Sequence, residues 1–132
     1  MFLSSSNVLV MGDLFTNGGY PVIDEFSGGS LRGMIDALER LIPLVNADTV
    51  VVPAHGQVAD RHALILFRDM LQTIENRILS RIKAQLTLPE IFESSPTAEF
   101  DPTWGQGYVT GAHFVRMVLA GLDLSEGSTT GK

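Results

Sequence analysis

Two short runs of branched apolar residues, NVLVM at 7–11 and TVVVP at 49–53, flank a segment with helical periodicity, and that arrangement leaves few folds open. Strands that are apolar throughout, rather than alternating, belong to sheets covered on both faces, which is the habit of parallel strands. Parallel neighbours cannot be joined by a tight turn and need a crossover. The intervening segment supplies one. After Ser30, a candidate N-cap, apolar residues recur at Leu31, Met34, Ile35, Leu38, Leu41, Ile42 and Val45, three and four positions apart, so one side of a helix is apolar. Pro43 lacks an N–H and crowds the carbonyl four residues back, so the last turn is expected to loosen there, before a turn at Asn46, Ala47 and Asp48. The unit reads as a right-handed βαβ crossover in an α/β fold.

The Gly12-Asp13 pair is expected to end the first strand at a tight turn. Residues 15–29, punctuated by Thr16 to Gly19 and by Ser27-Gly28-Gly29, then form a surface loop of a length that is often functional. Asp60 is placed to cap a long helix through about Ala84, with a stripe of Leu64, Phe67, Leu71, Ile74, Ile78 and Ile82. Thr87 and Glu90 form a capping-box pair, and with Pro89 early in the helix they predict a short helix over residues 88–93. Residues 94–107 read as irregular. Thr110 begins a last helix over residues 112–122, with Phe114, Val115, Val118, Leu119 and Leu122 on one side. Residues 1–124 are taken as one domain and residues 125–132, polar and rich in Gly and Thr, as a flexible tail.

Charge and composition narrow the function classes. Nine basic against fifteen acidic side chains leave a net charge of -6, which argues against nucleic acid or an anionic membrane as the main partner. The absence of cysteine excludes disulfides, thiolate zinc sites and a cysteine nucleophile, and leaves the compartment open. The first residues lack a basic segment followed by a long apolar run, and no stretch approaches the roughly 18 apolar residues of a membrane span; the chain reads as soluble, without a signal peptide. With 45% hydrophobic and 18% charged residues it has apolar surface to spare, so a partner or self-association is expected.

Open α/β sheets place their sites at the C-terminal ends of the strands. Asp13 follows the first strand and His55, within Pro53-Ala54-His55-Gly56, follows the second, so both are expected on one rim. An aspartate oxygen and a histidine nitrogen suit zinc, manganese or iron, and a metal with an open position turns a bound water into a nucleophile near neutral pH. The plainer alternative is a turn or cap role for Asp13 and a hydrogen-bonded rim role for His55. His62 and His113, each on the first turn of a helix, are expected to face solvent or bond locally. Gly18-Gly19 and Ser27-Gly28-Gly29-Ser30 lack the spacing of phosphate-binding loops and read as punctuation. Glu90, Glu93, Glu99 and Asp101 around Trp104 read as a solvated surface with a packed tryptophan. Tyr20 and Asp24, in the long loop beside the rim, are the candidates for substrate contact.

Residues 7–120 resemble the C-terminal portion of metallo-β-lactamase superfamily proteins, in particular the glyoxalase II-like and lactamase-like hydrolases. The resemblance is carried by NVLVMGDLFTNGGYPVIDEFSGGSLRGMIDALERL, VVVPAHG, the helix containing FRDMLQTIENRI, and PTAEFDPTWG. It implies the βαβ-containing half of an αββα sandwich with additional C-terminal helices, and an edge site where one or two metal ions, zinc or else iron or manganese, activate water to hydrolyse a small-molecule substrate. Asp13 matches the aspartate that bridges the two metals in that family, and His55 the histidine that binds the second. The family's His-x-His-x-Asp-His cluster has no counterpart here, nor has the histidine that precedes the GD strand. The expectation is therefore a partial gene product or truncated relative, with little or no hydrolysis by the isolated chain and catalytic residues unassigned. Its bare sheet face would be covered by a second copy in a homo-oligomer or by a missing N-terminal half. The competing expectation is a non-catalytic dimerising module in which Asp13 and His55 only satisfy loop backbone groups.

Overall fold

The two valine-rich runs pair as parallel neighbours in the computed structural model, which describes residues 2–23 and 30–130, leaving out the side chains of Asp13, Leu14, His55 and residues 123–130. Strand β2 (Val8–Thr16) lies beside β3 (Val50–His55), with Val8, Leu9 and Val10 opposite Val50, Val51 and Val52. A strand that the sequence reading did not anticipate, β1 (Phe2–Leu3), pairs antiparallel with β2. The turn between them places Asn7 at φ 55, a left-handed conformation that asparagine tolerates better than most residues. Among the described residues the sheet has the order β1-β2-β3. Beyond β3, Val51 and Ala59 exchange two backbone hydrogen bonds of 2.9 and 2.8 Å.

Gly12-Asp13 does not end the first strand, which runs on to Thr16. The reason is a bulge. Between the Val10↔Val52 and Gly12↔Pro53 pairs, two residues of β2 advance against one of β3, and between Gly12↔Pro53 and Thr16↔His55 four advance against two. Pro53 has no N–H for the ladder, and Gly12, at φ 58, takes the left-handed conformation that lets β2 swell opposite it. The second strand is also longer than expected: it reaches His55, which the sequence reading placed in the loop beyond.

Local capping chemistry sets the helices. Ser30 accepts from the Gly33 N–H at 3.0 Å to begin α1 (Leu31–Leu41), and Pro43 turns the end of the segment into a 3-10 turn, Ile42–Leu44. Asp60 accepts from the Ala63 N–H at 2.9 Å to begin α2 (Arg61–Lys83). Thr87 and Glu90 form the expected reciprocal box at the start of α3 (Leu88–Glu93). Residues 94–107 are not wholly irregular, since a single turn, α4 (Asp101–Trp104), with Pro102 early in it, lies inside them. The last helix, α5 (Gly111–Thr130), includes residues 125–130 that the sequence reads as tail.

The helices share one face of the sheet with a single core. Phe67 of α2 packs edge-on against Phe15 with ring centres 4.9 Å apart and touches Trp104 of α4 at 5.8 Å. Leu9, Met11, Phe15 and Val51 supply the strand side, and Phe114, Val115, Val118 and Leu119 bring in α5. Of the expected α2 stripe, Leu64, Phe67, Leu71, Ile74 and Ile78 are buried, but Ile82 is exposed where α2 runs past the core. The opposite face of the sheet is left uncovered by the described residues. Leu3, Val10 and Val50 are 42%, 39% and 42% exposed, with Val8 and Val52 half-buried between them. Register pairing puts these five side chains on one surface. Among the described residues, no helix is long and apolar enough to cross a membrane.

Candidate metal centre

The parallel register determines where the two candidate ligands stand. Asp13 lies between the Gly12↔Pro53 and Thr16↔His55 pairs, and His55 closes the second of them. Both residues therefore occupy the same end of adjacent strands, as the crossover predicted. Just beyond, the two strand exits meet. The Asn17 side-chain amide donates to the Gln57 carbonyl at 2.9 Å. Gly56, at φ 94, lets its backbone approach Asn17 so closely that a Cβ there would stand 2.6 Å from the Asn17 carbonyl oxygen.

An aspartate oxygen and a histidine nitrogen fit zinc, iron or manganese in type, and short of the roughly four donors of a closed zinc site they leave room for others. Among the described residues no group of three or more His, Asp or Glu side chains gathers into a metal-sized cluster. His62 and His113 are exposed on the first turns of α2 and α5, where the sequence reading put them. The side chains of Asp13 and His55 lie outside the described residues, so what the structure gives of this pair is the position of its backbone at one end of adjacent strands.

Of the two candidate substrate contacts, Asp24 lies outside the described residues. Tyr20 is 3% exposed and faces inward. Its ring stacks on Phe114 with centres 4.9 Å apart, and its hydroxyl donates to the Asp101 carboxylate at 2.8 Å, with the Thr97 carbonyl at 3.4 Å. Burial first, and then the hydrogen bond to Asp101, push its pKa far above the usual tyrosine value, so the hydroxyl keeps its proton and its partner. Gly111 completes this junction, since a Cβ there would overlap Asp101 Oδ1 and Thr97 Oγ1. Asp101, read as part of a solvated acidic surface, is instead the anchor of a loop, and Glu99 of the same stretch pairs with Arg77.

A second polar group escaped the sequence reading. Glu75 of α2 is 6% exposed, and its carboxylate meets the Arg32 guanidinium at 2.8 Å beside a small pocket lined by Leu31, Ile78, Val118 and Leu122. Arg32 also reaches Asp36 and Glu39. The signal was present in the spacing: position 75 is four beyond Leu71 and three before Ile78, so it lies on the apolar stripe.

No protein-family model matches this chain, and no curated protein matches it.

Proposed function

We propose that this protein is the C-terminal half of a metallo-β-lactamase-type fold and contributes a half-site, Asp13 and His55, to a metal centre of hydrolytic type. The observation that carries the reading is the register of β2 and β3, which sets the two residues at one end of adjacent parallel strands. In this reading Asp13 supplies a carboxylate oxygen and the negative charge that holds a cation. His55 supplies a neutral imidazole nitrogen. A metal held there would lower the pKa of a bound water toward neutrality, the chemistry of hydrolysis of a small-molecule substrate. The remaining donors would come from a second copy or from an N-terminal half, and the isolated chain would hydrolyse little or nothing.

Metal analysis of the purified protein tests this directly. The expected result is about one zinc, iron or manganese per chain or per dimer, lost in Asp13→Ala and in His55→Ala. Metal-free protein whose stability is unchanged by both substitutions would sink the reading.

A second reading, a dimerising module without catalysis, is favoured by the half-exposed valine face of β1, β2 and β3. Apolar strands of a mixed sheet are normally covered, and self-association would cover them whether or not a metal binds.

A further inference from the structure

The geometry points to Asn17 and Gly56 as positioning residues that hold Asp13 and His55 in place as a ligand pair; this rests on the proposed reading of those two residues as metal ligands. A regular ladder would fix the distance between neighbouring strands at every rung. Here it does not, because β2 carries four residues against two of β3 between the Gly12↔Pro53 and Thr16↔His55 pairs, and Asp13 falls inside that irregular stretch. The bulges interrupt the rung-by-rung pairing of β2 with β3 where the ligands lie. The Thr16↔His55 pair ends the stretch, and the clasp immediately after it ties the two strand exits together. The Asn17 amide donates across to the Gln57 carbonyl at 2.9 Å, bridging the residue after Thr16 to a residue two beyond His55. Gly56, next to His55, packs its backbone onto Asn17 so tightly that a Cβ would be 2.6 Å from the Asn17 oxygen and 3.2 Å from its Cβ.

Gly56 fills this place for two reasons. Its φ of 94 lies in the left-handed region that other residues rarely adopt, and the approach to Asn17 excludes a side chain. The two features act together, since the glycine allows the contact and the amide hydrogen bond directs it. A metal site tolerates only about 0.5 Å of misplacement in its ligands, and removing an outer hydrogen bond that orients a ligand typically costs about 10–100-fold in metal affinity. The clasp carries that role for the backbone at both strand ends.

The test is a zinc titration of the full chain against a chelating dye, run on the wild type, Asp13→Ala, Asn17→Leu, Asn17→Ala and Thr87→Ala. Asn17→Leu keeps the bulk of the side chain and removes the donor, and Asn17→Ala is a second route should leucine pack badly. Thr87→Ala weakens a helix cap remote from the strand ends and reports what general destabilisation does to affinity. The expected result is zinc affinity about 10–100-fold weaker in both Asn17 variants, with unchanged stoichiometry and an unchanged thermal midpoint of the metal-free protein, while Thr87→Ala binds as the wild type does. Asn17 variants that bind zinc as tightly as the wild type, in a protein where Asp13→Ala abolishes binding, overturn the clasp and leave the ligand assignment standing. Zinc binding by the wild type no tighter than by Asp13→Ala overturns the ligand assignment, and the clasp with it. Equal weakening in Thr87→Ala also overturns the clasp, because the loss would then follow stability rather than position.

Discussion

Glu75 stands 2.8 Å from the Arg32 guanidinium and almost out of reach of water, and the two facts pull its carboxyl in opposite directions. Burial is the larger influence and raises its pKa above the usual 4.5; Arg32 opposes this, while Asp36 and Glu39 add to it. Above about pH 4.5 the native state therefore holds more protons at this position than the unfolded chain does, so this contribution to stability is full below that value and is lost as pH rises through the folded pKa. Glu75→Gln removes the titration while keeping the shape and an acceptor for Arg32. Urea midpoints measured from about pH 4 to 8 should show the wild type losing ground to Glu75→Gln as pH rises; parallel curves would contradict the assignment. At this scale the sequence was legible where chemistry is local. Ser30, Asp60 and Thr87 were readable as caps because each bonds an N–H three residues ahead. The Tyr20–Asp101 bond spans 81 positions, and no local pattern announces such a partner.

Thr87 shows how much one cap can govern a short element. Helix α3 has only six residues, too few to persist on propensity alone, so its reciprocal box with Glu90 and the packing of Ile91 into the core sustain it. Thr87→Ala should destabilise the protein by about 0.5–2 kcal/mol, read from the shift in urea midpoint at constant slope. The Glu90 carboxyl, an exposed group held below its ordinary range by the Thr87 backbone N–H, serves the box while ionised, so this contribution is present above the ordinary carboxylate pKa and fades as pH falls through the lowered one. The element pattern of the sequence was readable for α1 and α2 because each joins a cap to a 3.6-residue period, and for α3 because a capping box stands with an early proline. It was unreadable for α4, a single turn held by Phe100 and Trp104 and by the Tyr20 N–H, which donates to the Trp104 carbonyl at 3.1 Å. The length of β2 was hidden for a different reason: a glycine between strand residues reads as a stop, and only the partner Pro53 reveals it as a bulge.

Across the whole molecule, the division of the sheet into a helix-covered face and a valine face sets how the chain meets its surroundings. If a second copy covers Leu3, Val10 and Val50, placing a charge among them will oppose association. Val50→Lys should shift the sedimentation of the protein from dimer toward monomer while leaving its helical content intact, because Val50 is already 42% exposed and the core lies on the other side. A wild-type protein that is a stable monomer at high concentration would remove the self-association reading. The βαβ unit that organises this architecture was legible from two apolar runs and one amphipathic helix, since parallel strands admit few connections. A bare face was expected from the family resemblance and not from the strands themselves, because an apolar strand looks the same in sequence whether its second face meets helices of its own chain or something else.

The mixed order of the sheet also has a history in time. Strand β1 pairs with β2 across a turn of four residues, at positions 4–7, a closure of the order of microseconds, whereas β3 arrives about 40 residues later. At a synthesis rate of about 5–20 residues per second, β2 waits about 2–8 s for its parallel neighbour, with Val8 and Leu9 already paired to the hairpin on one edge. The small hairpin therefore guards the start of β2 during translation, shortening the strand edge that nascent chains on neighbouring ribosomes could capture.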